Sequence, residues 1–233
     1  QGVFLIARRG RRVNGVLPLV FVRSRLFGRI LCSMPFVNFG GPIANDTETL
    51  DALLAEARRE ATRRRSDYLE LRCASEIPVD MPVGLHKVSM TIPLEPDADR
   101  LWNGFKSKHR TQIRRAYKDG LSVISGREEL LDAFYDLYSA AWRDLGTPVY
   151  HKRYFRGILE AFPEETRIFV AQRDGLPVAT AFNGYHGPTV EGMWAAVDPA
   201  HRRLNPNYVL YWEMIRDACE RGYRIYHLGR STA

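Results

Sequence analysis

With 233 residues and 45% hydrophobic side chains, the chain has enough apolar material for a real core in one large domain or two small ones, which excludes a disordered segment. A formal net charge of +7 favours anionic partners such as RNA, nucleotide-linked sugars or an anionic membrane face. No apolar run reaches the length of a membrane-spanning helix, and three scattered cysteines without a CxxC pair, Cys32, Cys73 and Cys219, argue against a disulfide framework or a zinc site and fit a reducing cytoplasm.

Residues 3–7 and 15–22 flank a basic turn and predict a hairpin, with a further strand over 29–35. Phe36-Val-Asn-Phe-Gly-Gly-Pro is then a loop, because Gly40-Gly41-Pro42 suits neither helix nor strand. From Asn45 the spacing turns helical: Leu50, Leu53, Leu54, Ala57 and Ala61 share a face, Asn45 and Glu48 have capping-box spacing, and Ser66 marks the end. Alternation over 68–73 predicts a strand. Helical spacing follows over 99–119, 128–145 and 151–162.

Residues 167–172 and 176–185 predict a second hairpin around Arg173-Asp174-Gly175, then a strand over 189–197, a helix from about Pro206 to Arg221 stopped by Gly222, and a last strand over 223–228. This repeats the order of the first half. Gly15-Val-Leu-Pro-Leu-Val-Phe also resembles Gly175-Leu-Pro-Val-Ala-Thr-Ala-Phe, so the simplest account is two copies of one mixed α/β unit, roughly 160 residues apart. Gln1 falls inside an apparent strand and Ala233 just after another, so both ends read as truncated. The expected domains are 1–95 and 96–233, the second beginning with the three helices.

Four cations, Lys106, Arg110, Arg114 and Lys118, recur every four residues and would stack along one side of a helix. That column suits the phosphates of a nucleotide sugar or an RNA backbone, while a solvated helix face is the plain alternative. Like charges at this spacing repel unless anions compensate, which favours a ligand. In Gly146-Thr-Pro-Val-Tyr-His-Lys-Arg-Tyr-Phe, aromatic and basic groups are mixed. Tyr150 and Lys152 could meet bases or sugars there, or Tyr154 and Phe155 could be core beside merely exposed cations. On the following strand and last helix, Trp194 and Trp212 could line a cleft, whereas Tyr211, Met214, Ile215 and Ala218 form a core stripe. His227 reads as a core histidine or a base, and Glu191 and Asp198 are the carboxylates near the 189–197 strand. Composition and spacing single out no catalytic base. No P-loop, GxGxxG, GxSxG or HExxH is present, so kinase, dehydrogenase and hydrolase readings lose their usual support.

The strand, turn, helix and strand over 190–230 resemble acetyltransferases of the GNAT type. In those, a Gly-rich turn at a helix N-terminus holds the pyrophosphate of coenzyme A. Here Asn205-Pro-Asn207-Tyr208 stands in its place. With the duplicated unit, Pro35-Phe-Val-Asn38-Phe-Gly-Gly41-Pro, the basic helix ending in Gly120, and Tyr226-His-Leu-Gly-Arg230-Ser-Thr, the chain resembles the FemAB group of peptidyl and acyl transferases. Gly146-Thr-Pro and Gly229-Arg-Ser-Thr are most similar to its exosortase and PEP-CTERM-associated exopolysaccharide subgroup.

The resemblance implies two tandem GNAT-like domains, α/β (α+β) with mixed sheets flanked by helices. It implies transfer of an aminoacyl or acyl group to an amine of a cell-wall or exopolysaccharide precursor in the cytoplasm. The expected partners are a nucleotide- or lipid-linked glycan or peptide precursor, tRNA and an anionic membrane surface, but not DNA. No bound cofactor is expected, with aminoacyl-tRNA as donor ahead of acetyl-coenzyme A. Substrate would be met by Asn38, Gly41, Lys106, Arg110, Arg114, Lys118, Tyr150, Lys152, Trp194, Asn207, Tyr208 and Arg230. The chain departs from the tRNA-using branch in having no long heptad-patterned segment between Gly120 and Thr166 for a coiled-coil arm. A coenzyme A-dependent acetyltransferase and a non-catalytic RNA-binding module are the competing expectations.

Overall fold

The computed structural model describes residues 1–26, 28–35, 37–84 and 87–232; Phe36 of the loop motif lies outside them. The chain divides into two compact units, Gln1–Gly84 and Leu85–Ala233.

In the first unit, β1 (Gly2–Arg9) and β2 (Arg12–Ser24) form the expected hairpin, closed where Gly10 adopts φ 61°. β3 (Gly28–Cys32) runs antiparallel to β2, which also takes the two-residue β4 (Ile43–Ala44). After α1 (Thr47–Arg63), β5 (Tyr68–Glu70) returns parallel to β3, giving the order β1-β2-β3-β5. α1 lays Leu53 and Ala57 on Leu17, Leu19 and Leu31, which the two-residue strand period places on one sheet face. The cap of this helix is Asp46 and not Asn45: the Asp46 carboxylate accepts from the Thr49 N–H at 2.8 Å, leaving Asn45 one residue too early.

The second unit opens with β6 (Lys87–Pro93), a strand the sequence reading passed over. The helix expected over 99–119 is two helices, α2 (Ala98–Gly104) and α3 (Ser107–Lys118). Phe105 and Lys106 are extended between them, and the Phe105 ring packs edge-on to Trp212 at 5.8 Å. β7 (Leu121–Gly126), α4 (Leu131–Asp144), α5 (Lys152–Ala161), β8 (Thr166–Arg173), β9 (Leu176–His186) and β10 (Thr189–Val197) follow. A 3-10 turn (Pro199–Leu204) leads into α6 (Pro206–Glu220), and β11 (Ile225–Thr232) ends the sheet. The order is β6-β11-β10-β9-β8-β7. α3 and α6 cover one face, burying Ile113, Phe169, Val190 and Met214. The other lies under α4 and α5, with Phe134, Tyr138, Phe155, Ile168, Phe182 and Trp194 in one aromatic-rich layer.

The duplication is present strand for strand. β1-β2-β3, α1 and β5 match β8-β9-β10, α6 and β11 in order, direction and sheet position.

Candidate active site

β10 and β11 run parallel for three pairs, Thr189↔Ile225, Val190↔Tyr226 and Glu191↔His227, and then part. Each bulges just past the last pair. On β10 the register against β9 shifts between Gly192 and Trp194, making Met193 the extra residue; on β11 it shifts against β6 between His227 and Arg230, where Gly229 has φ 92°. A bulge sharpens the twist of its own strand, so two at one point turn the strands apart. Beyond Glu191, β10 has no ladder pair with β11 among the described residues, which turns backbone groups of residues 194–197 toward the gap.

At the point of parting stand two titratable side chains. His227 is 6% exposed and its Nδ1 accepts from the Gly229 N–H at 3.1 Å, so the neutral ring carries its proton on Nε2. Glu191 Oε1 lies 3.9 Å from the same Nδ1. On the opposite face Tyr226 is fully buried and donates to Asn183 Oδ1 at 3.0 Å; burial pushes its phenol well above the ordinary range and leaves it a hydrogen-bond donor.

The helix that carries the basic column, α3, is tied to the N-terminus of α6 through Gln112 and His109. Asn205, with φ 55° and ψ 44°, makes no side-chain cap and donates instead to Gln112 Oε1 on α3 at 2.9 Å, while His109 and Tyr208 approach at 5.9 Å between ring centroids. Between α3 and α6 lies an apolar cleft of about 250 Å³, lined by Phe105, His109, Ile113, Asn207, Tyr208 and Trp212 among others. Lys106 caps α3 instead of lying within it, Arg114 stacks 5.4 Å over Trp102, and Lys118 closes the helix at its far end. Lys106, Arg110, Lys118, Arg202 and Arg203 have no acidic partner among the described residues. The Arg110 Nε is buried without a hydrogen-bond partner, as is that of Arg230 on β11. Asp198 is held below the usual carboxylate range by the Ala200 N–H and by His201, whose Nδ1 is 2.7 Å away.

The remaining candidates lie elsewhere. Trp194 is buried at 4% exposure against Phe155 and Phe182, with Tyr154 at 6.0 Å edge-to-face and Tyr150 beyond it. Lys152 pairs with Asp132 and lies 5.6 Å over Tyr135, bridging α5 to α4. Asn38 and Gly41 belong to the first unit, where a Cβ on Gly41 would stand 2.8 Å from Cys73 Sγ. Sequence reasoning named Glu191 and His227 without joining them. Their pairing depends on lateral strand register, although Gly192 and Gly229, each just beyond the pair, hint at the bulges.

Residues 105–233 match the family model of the acetyltransferase (GNAT) domain. The chain belongs to this family. The GNAT domain so defined takes in the basic helix, the parting strands and the α6 turn. Over 136 residues the chain is 31% identical to a UDP-N-acetylmuramoylpentapeptide-lysine N(6)-alanyltransferase of Weissella viridescens, covering 58% of this chain but only 40% of that protein's length. The crystal structure of FemX superposes over the whole chain and 80% of its own, with a TM-score of 0.71 at 16% identity. The C-terminal DUF2156 domain of a putative lysylphosphatidylglycerol synthetase from Agrobacterium fabrum gives 0.60 at 13% identity, over 94% of this chain and 68% of that one. At such identities the two structures establish a shared tandem fold. No helix among the described residues is long and apolar enough to cross a membrane.

Proposed function

We propose that this chain carries a FemAB-type N-acyltransferase site, which moves an aminoacyl or acyl group from an activated donor to a primary amine of a cell-wall or exopolysaccharide precursor. The observation that carries the reading is the gap between β10 and β11 beside a helix whose first turn is Asn205-Pro-Asn207 in place of glycines. The gap offers backbone N–H groups to a developing oxyanion. The turn offers no glycine-lined cradle for a pyrophosphate, while the unpaired cations around it suit a larger phosphodiester. The alanyltransferase named above, which by its name acts on the lysine of a UDP-linked muramoylpentapeptide, supports an aminoacyl donor and a nucleotide-linked peptide acceptor. We place the protein in the exosortase and PEP-CTERM-associated subgroup, acting in the cytoplasm on aminoacyl-tRNA.

A free alkyl amine titrates near about 10.4 and must lose a proton before it can attack. Its lone pair then adds to the ester carbonyl, and the amides of residues 194–197 hold the oxyanion. Collapse forms the amide, breaks the ester C–O bond and returns a proton to the leaving ribose oxygen. Lys106, Arg110, Arg114, Lys118, Asn207 and Tyr208 would hold the donor, with Arg230 at the gap. Tyr150, Lys152 and Trp194 would face the acceptor on the second unit; Asn38 and Gly41 are candidate substrate contacts of the first unit by itself. A coenzyme A reading is favoured by one observation, the two unpaired side chains of Arg202 and Arg203 before α6. Calorimetry with alanyl-tRNA, UDP-N-acetylmuramoylpentapeptide and acetyl-coenzyme A tests both. Binding of the first two is expected. If none binds, the acyltransferase reading is lost, and acetyl-coenzyme A binding abolished by Arg202→Ala/Arg203→Ala would replace it with the second.

A further inference from the structure

We propose that the sheet face of the first unit turned away from α1 docks on an anionic phospholipid bilayer, with Phe4, Ile6 and Ile43 in the interface and the arginines of the β1–β2 turn among the headgroups. This docking holds whether or not the second unit transfers an acyl group.

Strand period assigns the face. Val3, Leu5 and Ala7 pack with α1, so Phe4 and Ile6 point the other way. Register carries that face across three strands: Phe4 stands opposite Pro18, and Ile6 opposite Val16, which in turn stands opposite Ile43 on β4. Phe4 is 74% exposed, Ile43 70% and Ile6 52%. The register shift after Ala7 makes Asn14 on β2 the extra residue, so β1 keeps its alternation and Arg8 follows Phe4 and Ile6 on the same face, opposite Val13. Arg9 points to the α1 side and pairs with Asp46 and Glu48. Arg8, Arg11 and Arg12 are exposed and have no acidic partner among the described residues.

The second unit shows the same face when the chain covers it. Ile168, Val170 and Phe182, at the places of Phe4, Ile6 and Pro18, are buried under α4 and α5, and the equivalent hairpin turn carries Arg173 paired with Asp174. In the first unit the face is bare and the turn is cationic, so its occupant must supply hydrocarbon and negative charge together. A nucleic-acid backbone has the charge but offers nothing apolar to Phe4 and Ile6. A second copy of the chain brings the same arginines. The interface of an anionic bilayer supplies both: apolar side chains sink below the headgroups while arginines stay among the phosphates.

Co-sedimentation of the whole chain with lipid vesicles tests the docking. Wild type should bind vesicles of phosphatidylglycerol mixed with phosphatidylcholine and leave pure phosphatidylcholine vesicles nearly bare. Arg8→Ala/Arg11→Ala/Arg12→Ala should weaken binding about 100-fold. Phe4→Thr/Ile6→Thr, which keeps good strand formers but removes apolar bulk, should weaken it about 10-fold. If these variants fail to fold, Phe4→Trp stands in: brominated acyl chains should quench its added emission, and an unquenched signal overturns the proposal. Binding that ignores Phe4→Thr/Ile6→Thr would be adhesion by charge alone and overturns it too, as does equal binding to phosphatidylcholine. A dimer in sedimentation equilibrium that Phe4→Thr/Ile6→Thr dissolves would give the face to a second copy instead. Each of these outcomes leaves the transferase reading of the second unit standing.

Discussion

The two units contain the same junction, finished differently. In the first, β3 and β5 share three pairs, Ile30↔Tyr68, Leu31↔Leu69 and Cys32↔Glu70, as β10 and β11 do before they part. There the chain closes the junction itself. The Ser33 N–H donates to Glu70 O at 2.9 Å, the Gly40 N–H to Arg72 O at 2.9 Å, and the Arg72 guanidinium to the carbonyls of Pro35 and Val37 and to the Glu70 carboxylate. The Cys32 thiol, at the position Glu191 holds in the second unit, is pushed up to about 11 by burial and is inert at neutral pH. No comparable set of backbone bonds crosses the β10/β11 gap among the described residues. A duplicated scaffold can thus spend its strand junction on a structural latch in one copy and leave it open in the other.

The sheet faces differ in the same way. Phe4 on β1 and Ile168 on β8 hold matching places, each opposite the face that carries the crossover helix. Phe4 is 74% exposed, whereas Ile168 is fully buried under α4 and α5. The sharpest break of the comparison is therefore a pair of substitutions. Ile168→Ala should cost about 2–5 kcal/mol in denaturant unfolding and Phe4→Ala about 0.5 kcal/mol or less. Equal costs would show that the first unit's face is covered in solution. Next in size, Arg72→Ala strips a largely buried guanidinium from two carbonyls and a carboxylate, and should cost about 2–3 kcal/mol. A change near zero would mean that the backbone bonds alone hold the latch.

The helix ends give a smaller contrast. α1 and α6 both finish with a residue in the left-handed region, Arg65 at φ 51° and Gly222 at φ 81°. The next N–H reaches back in each case, Ser66 to Ala61 O and Tyr223 to Ala218 O. A Cβ at Gly222 would meet nothing within 4 Å, so Gly222→Ala should cost about 1 kcal/mol from backbone strain alone. The same strain is already present at Arg65, and Arg65→Gly should gain about 0.5 kcal/mol, read as opposite shifts in thermal midpoint.

Features that depend on the order of residues along the chain were legible in the sequence. Alternation revealed both hairpins, Gly222 the end of α6, and the order of elements the duplication. What depended on neighbours across space was not. β6 exposes most of its side chains and gains its place by pairing with β11, so its own pattern says little. α2 and α3 break where the Phe105 ring turns in to Trp212, which an unbroken apolar period hides. At the site, the cations and Trp194 stood out by type. The Glu191–His227 pair did not, because a one-residue slip of the parallel register would move either side chain to the other face.

The smallest contrast concerns how the two crossover helices begin, and pH separates them. α1 starts on Asp46, whose carboxyl the Thr49 hydroxyl and N–H hold below the ordinary carboxylate range; α6 starts on Asn205, whose side chain caps nothing. A folded-state value below the unfolded one, which lies near about 3.9, means that Asp46 contributes stability above that pH. The contribution drains away as acidification carries the carboxyl through its lower, folded value. Stability should therefore drop more steeply below about pH 4 in wild type than in Asp46→Ala. Amide exchange should place the loosening in the first turn of α1, while the first turn of α6, with no carboxylate to protonate, holds its protection. Equal loosening of both helices would show that the acid response belongs to the sheet and not to the cap.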